Sequence, residues 1–130
     1  MSTEATAEIL KEIQQERDRQ DKKWGEQNHP DGTGKEAFKD FADVAKRKCD
    51  AAAGKGTLTF AHILEEEFWE ALAESDQNKL RTELIQTAAV TVAWVEKIDR
   101  DLAKKEKASA AGRAAAVAAT DKETVSGKEA

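Results

Sequence analysis

The chain has one proline, one cysteine, no tyrosine and three tryptophans, and aromatic side chains make up only 5% of its 130 residues. So few turn formers and so few aromatics argue against a β-sandwich or barrel and favour helices. The single cysteine, Cys49, excludes an internal disulfide and fits a reducing cytoplasm. No apolar run approaches the roughly 20 residues needed to span a bilayer, and the N-terminus lacks a signal-peptide pattern. No membrane partner is therefore expected. A net charge of −5 denies the chain the basic face that general nucleic-acid binding requires. It leaves room for a nucleotide whose charge a metal screens.

What the chain does have is charge, at 36% of residues, arranged in helical periods. The pattern predicts one all-α domain, a four-helix bundle over residues 1–106, followed by a tail over residues 107–130. The first helix is expected from about Glu4 to Lys23, with Ile9, Leu10 and Ile13 as its apolar face. A polar connection follows, in which His29-Pro30-Asp31-Gly32 has Pro and Gly where a type I turn favours them. The second helix is expected from about Lys35 to Ala53, with Phe38, Phe41, Ala42 and Ala45 on one side. Gly54 and Gly56 stop it. Thr57 or Thr59 caps the third, which ends near Ser75. The fourth runs from about Asn78 to Lys105, and the short turn before it predicts antiparallel packing on the third. Beyond Glu106 the Ala, Lys, Ser and Gly composition predicts a disordered or loosely helical, dispensable tail.

The third helix carries the chemistry. Glu67 and Glu70 stand three residues apart, one turn along one side of the helix, and Glu83 and Gln86 repeat the spacing on the next. Glutamate-rich helices ordinarily present a solvated face. The helical wheel argues otherwise here. With Leu64 as origin and about 100° per residue, the residues Phe60, Ala61, Ile63, Phe68, Ala71 and Leu72 form an apolar arc. Glu67 falls inside that arc, Glu70 lies at its edge and Glu66 points away. A carboxylate among apolar neighbours needs a cation or a hydrogen-bonding partner. From Leu84 to Val95 the next helix is apolar nearly all round, the mark of a buried segment. Thr87 and Thr91 can satisfy themselves by bonding back to the helix backbone, whereas Gln86 cannot easily do so and lies close to Glu83. Three carboxylates and an amide then form an oxygen-rich pocket suited to Mg²⁺ or Mn²⁺, cations that commonly handle phosphates.

These residues carry a resemblance. Glu66-Glu67-x-x-Glu70, a gap of twelve residues, then Glu83-x-x-Gln86 resembles the signature of the MazG-like all-α nucleoside triphosphate pyrophosphohydrolases. The segment from Glu16 to Pro30, ERDRQDKKWGEQNHP, is similar to that of small stand-alone members of the group. Together the likeness covers roughly residues 8 to 102. It implies the fold of the all-α NTP pyrophosphatases and hydrolysis of a nucleoside triphosphate to its monophosphate and pyrophosphate. It also implies Mg²⁺ or Mn²⁺ on Glu67, Glu70 and Glu83, with Glu66 supporting a ligand or orienting the attacking water. Gln86 stands where the family has an aspartate, which removes one negative charge from the site. That departure leaves open weaker catalysis, a single-metal mechanism, or a protein that binds nucleotides without cleaving them.

Candidate substrate-binding residues are Lys23, Trp24, Trp94 and Lys97. Two roles fit Trp24: stacking on a nucleobase, or covering the end of the bundle. Trp94 either walls the pocket or fills core, and Lys97 either reaches distal phosphates or ends its helix in solvent. Trp69 is expected on the outer side of its helix, where a tryptophan often marks a subunit interface. The apolarity of the fourth helix exceeds what one small bundle needs, which predicts a homodimer or homotetramer. Neither His29 nor His62 has a second His or Cys at ligand spacing, which argues against zinc. Three functional expectations therefore stand: a Mg²⁺-dependent pyrophosphohydrolase, a non-catalytic nucleotide-binding protein, and a structural helical oligomer with a buried ionic network.

Overall fold

The computed structural model describes residues 3–129, and side-chain exposure for residues 4–120. Among the described residues there are four α-helices and no strand: α1 Thr3–Trp24, α2 Glu36–Gly54, α3 Phe60–Ala73 and α4 Gln77–Glu129. Local signals account for most of the boundaries. Thr59 caps α3: its hydroxyl accepts from the His62 N–H at 3.2 Å, and its own N–H donates to His62 Nδ1 at 3.1 Å. This is a reciprocal capping box with His62 in the place usually taken by Glu or Gln. Asp76 caps α4 by accepting from the Lys79 N–H at 3.0 Å. At the end of α2 the stop belongs to Gly56 alone. Gly56 has φ +72°, its N–H donates to Ala53 O, and the Thr57 N–H reaches back to Ala52 O at 2.9 Å. That pair of bonds is a Schellman closure, which needs a left-handed residue at this point. Gly54 stays helical.

One sequence expectation fails here for an identifiable reason. The segment His29-Pro30-Asp31-Gly32 closes no hydrogen-bonded turn among the described residues. The Asp31 carboxylate instead accepts from the Gln77 side-chain amide at 3.1 Å, which ties the connection to the start of α4. A second tie lies at Gly34, whose N–H donates to Leu72 O at 2.8 Å. The tail is helical, one of the two forms expected of it: α4 continues to Glu129, in keeping with the high helix propensity of alanine. Ala130 lies outside the described residues.

The chain divides into two compact units, with the boundary after Glu96. In the first unit the helices meet in antiparallel pairs. Phe60, early in α3, stacks on Trp94 of α4 at 5.8 Å between ring centroids, while farther along α3 the Glu67 carbonyl meets the Thr87 hydroxyl. Phe38 and Phe41 of α2 meet Trp69 of α3, and Cys49 meets Glu66. Thr6 of α1 donates to the Glu96 carboxylate of α4. In the second unit the described residues, 97–129, are helical, with an ion pair from Lys97 to Asp101 at 2.6 Å and another from Arg113 to Glu106.

The first unit's core is made of small and medium side chains. Ile9, Ala45, Cys49, Ala52, Ala71, Leu80 and Val92 are the buried apolar residues. On α2 the spacing of Ala45, Cys49 and Ala52 is one stripe of a helix. Short side chains there let α2 lie against α3. The expected all-round burial of α4 is corrected: Leu84 is 51% exposed, Ile85 57%, and Gln86 is exposed as well. Within this chain α4 is covered by α3 and α1, and two neighbours cannot enclose a helix. No helix among the described residues is long and apolar enough to cross a membrane.

Candidate metal centre

Three helices build the site. Glu67 and Glu70 leave α3 one turn apart, and Glu83 leaves α4 opposite them. A possible ligand oxygen from each of the three lies within 4.8 Å of the others. All three side chains are half-buried. The adjoining hollow, of about 240 Å³, is lined by Lys39, Ala42 and Asp43 of α2, by Glu70, Ala73 and Glu74 at the end of α3, and by Glu83. Among the described residues, Glu67 Oε2 and Glu83 Oε2 are shielded from solvent and have no hydrogen-bond partner. A buried polar atom left without a partner is costly.

The electrostatics follow from burial and crowding. Desolvation, then the charges of Glu83 and Glu66, push the Glu67 carboxyl above the usual carboxylate range. Glu70 is pushed up to about 7, first by desolvation and then by Glu67, Glu83 and Glu66, with Lys46 pulling weakly the other way. Both shifts have the sign expected where negative charge gathers without enough positive charge. The three carboxylates are close enough together to hold a metal ion, an arrangement that acidic groups also adopt without one. Thr87 takes care of itself, donating to Glu83 O at 2.8 Å, and Thr91 donates to Thr87 O at 3.0 Å.

Several candidate residues sit elsewhere than expected. Glu66 does not point to open solvent. It hydrogen-bonds the buried Cys49 thiol, and that bond together with burial lifts the thiol to about 11. The helical wheel assumed one covered side of α3, whereas α2 and α4 cover two. The same fact corrects Trp69, which is half-buried against Phe38, Phe41 and Phe68 with centroid distances of 5.8, 4.8 and 5.1 Å. Phe68, expected in the apolar arc, is 46% exposed.

Gln86 is exposed and is not among the residues lining the acidic hollow. Trp94 stacks on Phe60 and borders a separate shallow hollow with Ala61, Leu64, Glu65 and Phe68. Trp24 is 59% exposed, carries the Lys23 ammonium 4.8 Å over its ring, and lines a polar cleft with Glu26, Gln27, Asn28 and His29. Lys97 belongs to the second unit and pairs with Asp101. Sequence reasoning missed Lys39, Asp43 and Glu74. No signal in the sequence pointed to them, because only the packing of α2 on α3 brings them beside Glu70 and Glu83.

The chain matches no protein-family model, no curated protein and no solved structure.

Proposed function

We propose that the protein is a Mg²⁺- or Mn²⁺-dependent nucleoside triphosphate pyrophosphohydrolase of the MazG-like all-α type. The observation that carries this reading is the cluster of Glu67, Glu70 and Glu83 with two orphaned oxygens. Glu67, Glu70 and Glu83 would hold the cation, which supplies charge neutralisation for phosphate oxygens. In the overall reaction a water oxygen bonds to the α-phosphorus, the bond from that phosphorus to the bridging oxygen breaks, and pyrophosphate leaves. The water's proton passes to solvent or to a carboxylate. Glu66, held by Cys49, stands beside Glu67 in sequence and is the residue available to steady a ligand or orient the water. Lys23, Trp24 and Trp94 remain the proposed contacts to the nucleotide. A buried lone thiol and the absence of a membrane-spanning helix among the described residues suit a cytoplasmic setting.

The reading includes a homodimer or homotetramer. An apolar groove of about 420 Å³ runs between α1 and α4, and Leu10, Ile13 and Ile85 on its walls are 52%, 42% and 57% exposed. Contiguous apolar surface of this kind marks an interaction site more often than bare surface.

A second reading has one observation in its favour. Gln86 brings no charge and lies exposed, so the cluster holds three carboxylates where the resemblance implies four. A protein that binds a nucleotide without cleaving it would fit that loss. The deciding experiment is pyrophosphate release from a panel of NTPs and dNTPs with Mg²⁺ or Mn²⁺, with Glu67→Ala as control. Metal-dependent release that disappears in the control supports the hydrolase. Nucleotide binding with no release from any member of the panel supports the binding protein.

A further inference from the structure

The apolar groove between α1 and α4 has two unlike ends. Its walls are Leu10 and Ile13 on α1, and Ile85, Ala88, Ala89 and Val92 on α4. Thr6, early in α1, donates to the Glu96 carboxylate of α4, so the two helices run antiparallel and this end is acidic. At the other end helix period carries both walls into arginine. Arg17 lies four residues beyond Ile13 and Arg81 four residues before Ile85, each on the groove side of its helix. Both arginines are exposed. Arg17 donates to Gln20 Oε1 at 2.8 Å, and the ion pairs among the described residues engage neither arginine.

This stretch of α4 is complementary to itself when reversed. The midpoint between Arg81 and Glu96 falls between Ala88 and Ala89, and Ile85 and Val92 share that midpoint. A second α4 laid antiparallel over the two alanines sets Ile85 against Val92 and Arg81 against Glu96, each pairing made twice. Ala88 and Ala89 are exposed and short, which lets two helices approach closely. An unrelated helix would have to bring apolar anchors to the middle and an acid to the arginine end. A second copy brings both by symmetry.

We propose that the groove receives a second copy of this chain, α4 against α4 in antiparallel register about Ala88 and Ala89, with Arg81 of each copy paired to Glu96 of the other. The inference rests on the homodimer of the reading above, to which it gives a face and a register, and it does not depend on the reaction. Glu96 keeps its bond from Thr6, because a carboxylate has lone pairs for several donors. Arg17 adds a second cation at the same end.

The test is the dimer dissociation constant, from sedimentation velocity, for the parent, Arg81→Glu, Glu96→Arg and the two changes combined, with helix content checked by circular dichroism. The parent is expected to be a dimer. Each single reversal brings like charges together twice and should raise the constant roughly 10-fold or more. The combined variant restores opposite charges and should return to within about threefold of the parent. Glu96→Arg also removes the bond from Thr6, so a second measurement leaves Glu96 intact. Ala88→Cys should oxidise to a disulfide-linked dimer, while Ala51→Cys, exposed on α2, should not. A dimer whose affinity ignores Arg81→Glu, or an Ala88→Cys variant that links no better than Ala51→Cys, overturns this inference and leaves the homodimer standing. A monomeric parent overturns both, and pyrophosphate release then decides the reaction by itself.

Discussion

Glu67 of α3 and Glu83 of α4 each bury a carboxylate oxygen with no hydrogen-bond partner among the described residues, and both belong to one cluster whose ligand atoms lie within 4.8 Å. Two like charges so placed repel each other unless something positive comes between them. In chelator, Glu83→Gln should therefore melt at or above the parent's temperature, because it removes one of the charges. With Mg²⁺ or Mn²⁺ added, the parent should gain several degrees and the variant should gain little. Ligand binding to the folded state alone supplies roughly 2.7 kcal/mol at 100 times Kd. A parent whose melting temperature ignores both metals would rule out the cation site.

The pH dependence has a definite sign. Glu70 is pushed up from 4.5 to about 7 in the folded chain. Between those values the unfolded chain has released this proton and the folded chain still holds it. Fewer protons on the unfolded state mean that stability falls as pH rises. The metal-free protein should thus lose stability from pH 4.5 to about 7, the full loss being present above that. Saturating metal, or Glu70→Gln, should flatten that part of a plot of melting temperature against pH. A metal-free curve that rises through the same window would contradict the crowded-carboxylate account.

Gly34 fastens the polar connection to the α3–α4 corner by close approach. It has φ +82°, and a β-carbon there would stand 2.8 Å from the Ser75 β-carbon. Gly34→Ala should cost on the order of 1–3 kcal/mol, the scale for a strained backbone position. Gly32 has φ +72°, but a β-carbon added to it would meet nothing within 4 Å, so Gly32→Ala should cost visibly less. Urea denaturation of the two variants measures the difference, and equal costs would show that the Ser75 contact matters little.

Trp69 packs against Phe38 and Phe41 across the α2–α3 interface, and Phe68 beside it completes the cluster. Trp69→Ala should lower the melting temperature through lost packing. Full burial would set the loss at about 3–5 kcal/mol, and half-burial puts it near the lower end or below. Sedimentation should show its oligomeric state unchanged. By contrast Ile85→Lys, on the open α4 face, should shift the protein toward smaller species. A Trp69→Ala variant that dissociates without losing melting temperature would restore the expectation of an interface tryptophan.

Glu67 is legible in the sequence because helix period alone places it among apolar residues, and it does carry an orphaned buried oxygen. The caps are legible because Thr59 and Gly56 act within a few residues of themselves. Glu66 and Trp69 are misplaced by the wheel for one reason: a single apolar arc cannot represent a helix covered on two sides. Asp43 is invisible in the sequence because nothing in its own helix ties it to Glu70. Only the packing of α2 on α3 does that.

The sequence by itself determined helices, caps, the breaks between them and the one-turn spacing of Glu67 and Glu70, because those depend on contacts a few residues apart. The tertiary structure alone decided which side of each helix is covered, that Glu83 meets Glu67 and Glu70, that Cys49 holds Glu66, and that Asp43 faces the same hollow while Gln86 does not. Those outcomes depend on how far apart in the chain two surfaces can lie and still find each other, and period and propensity carry no information about that.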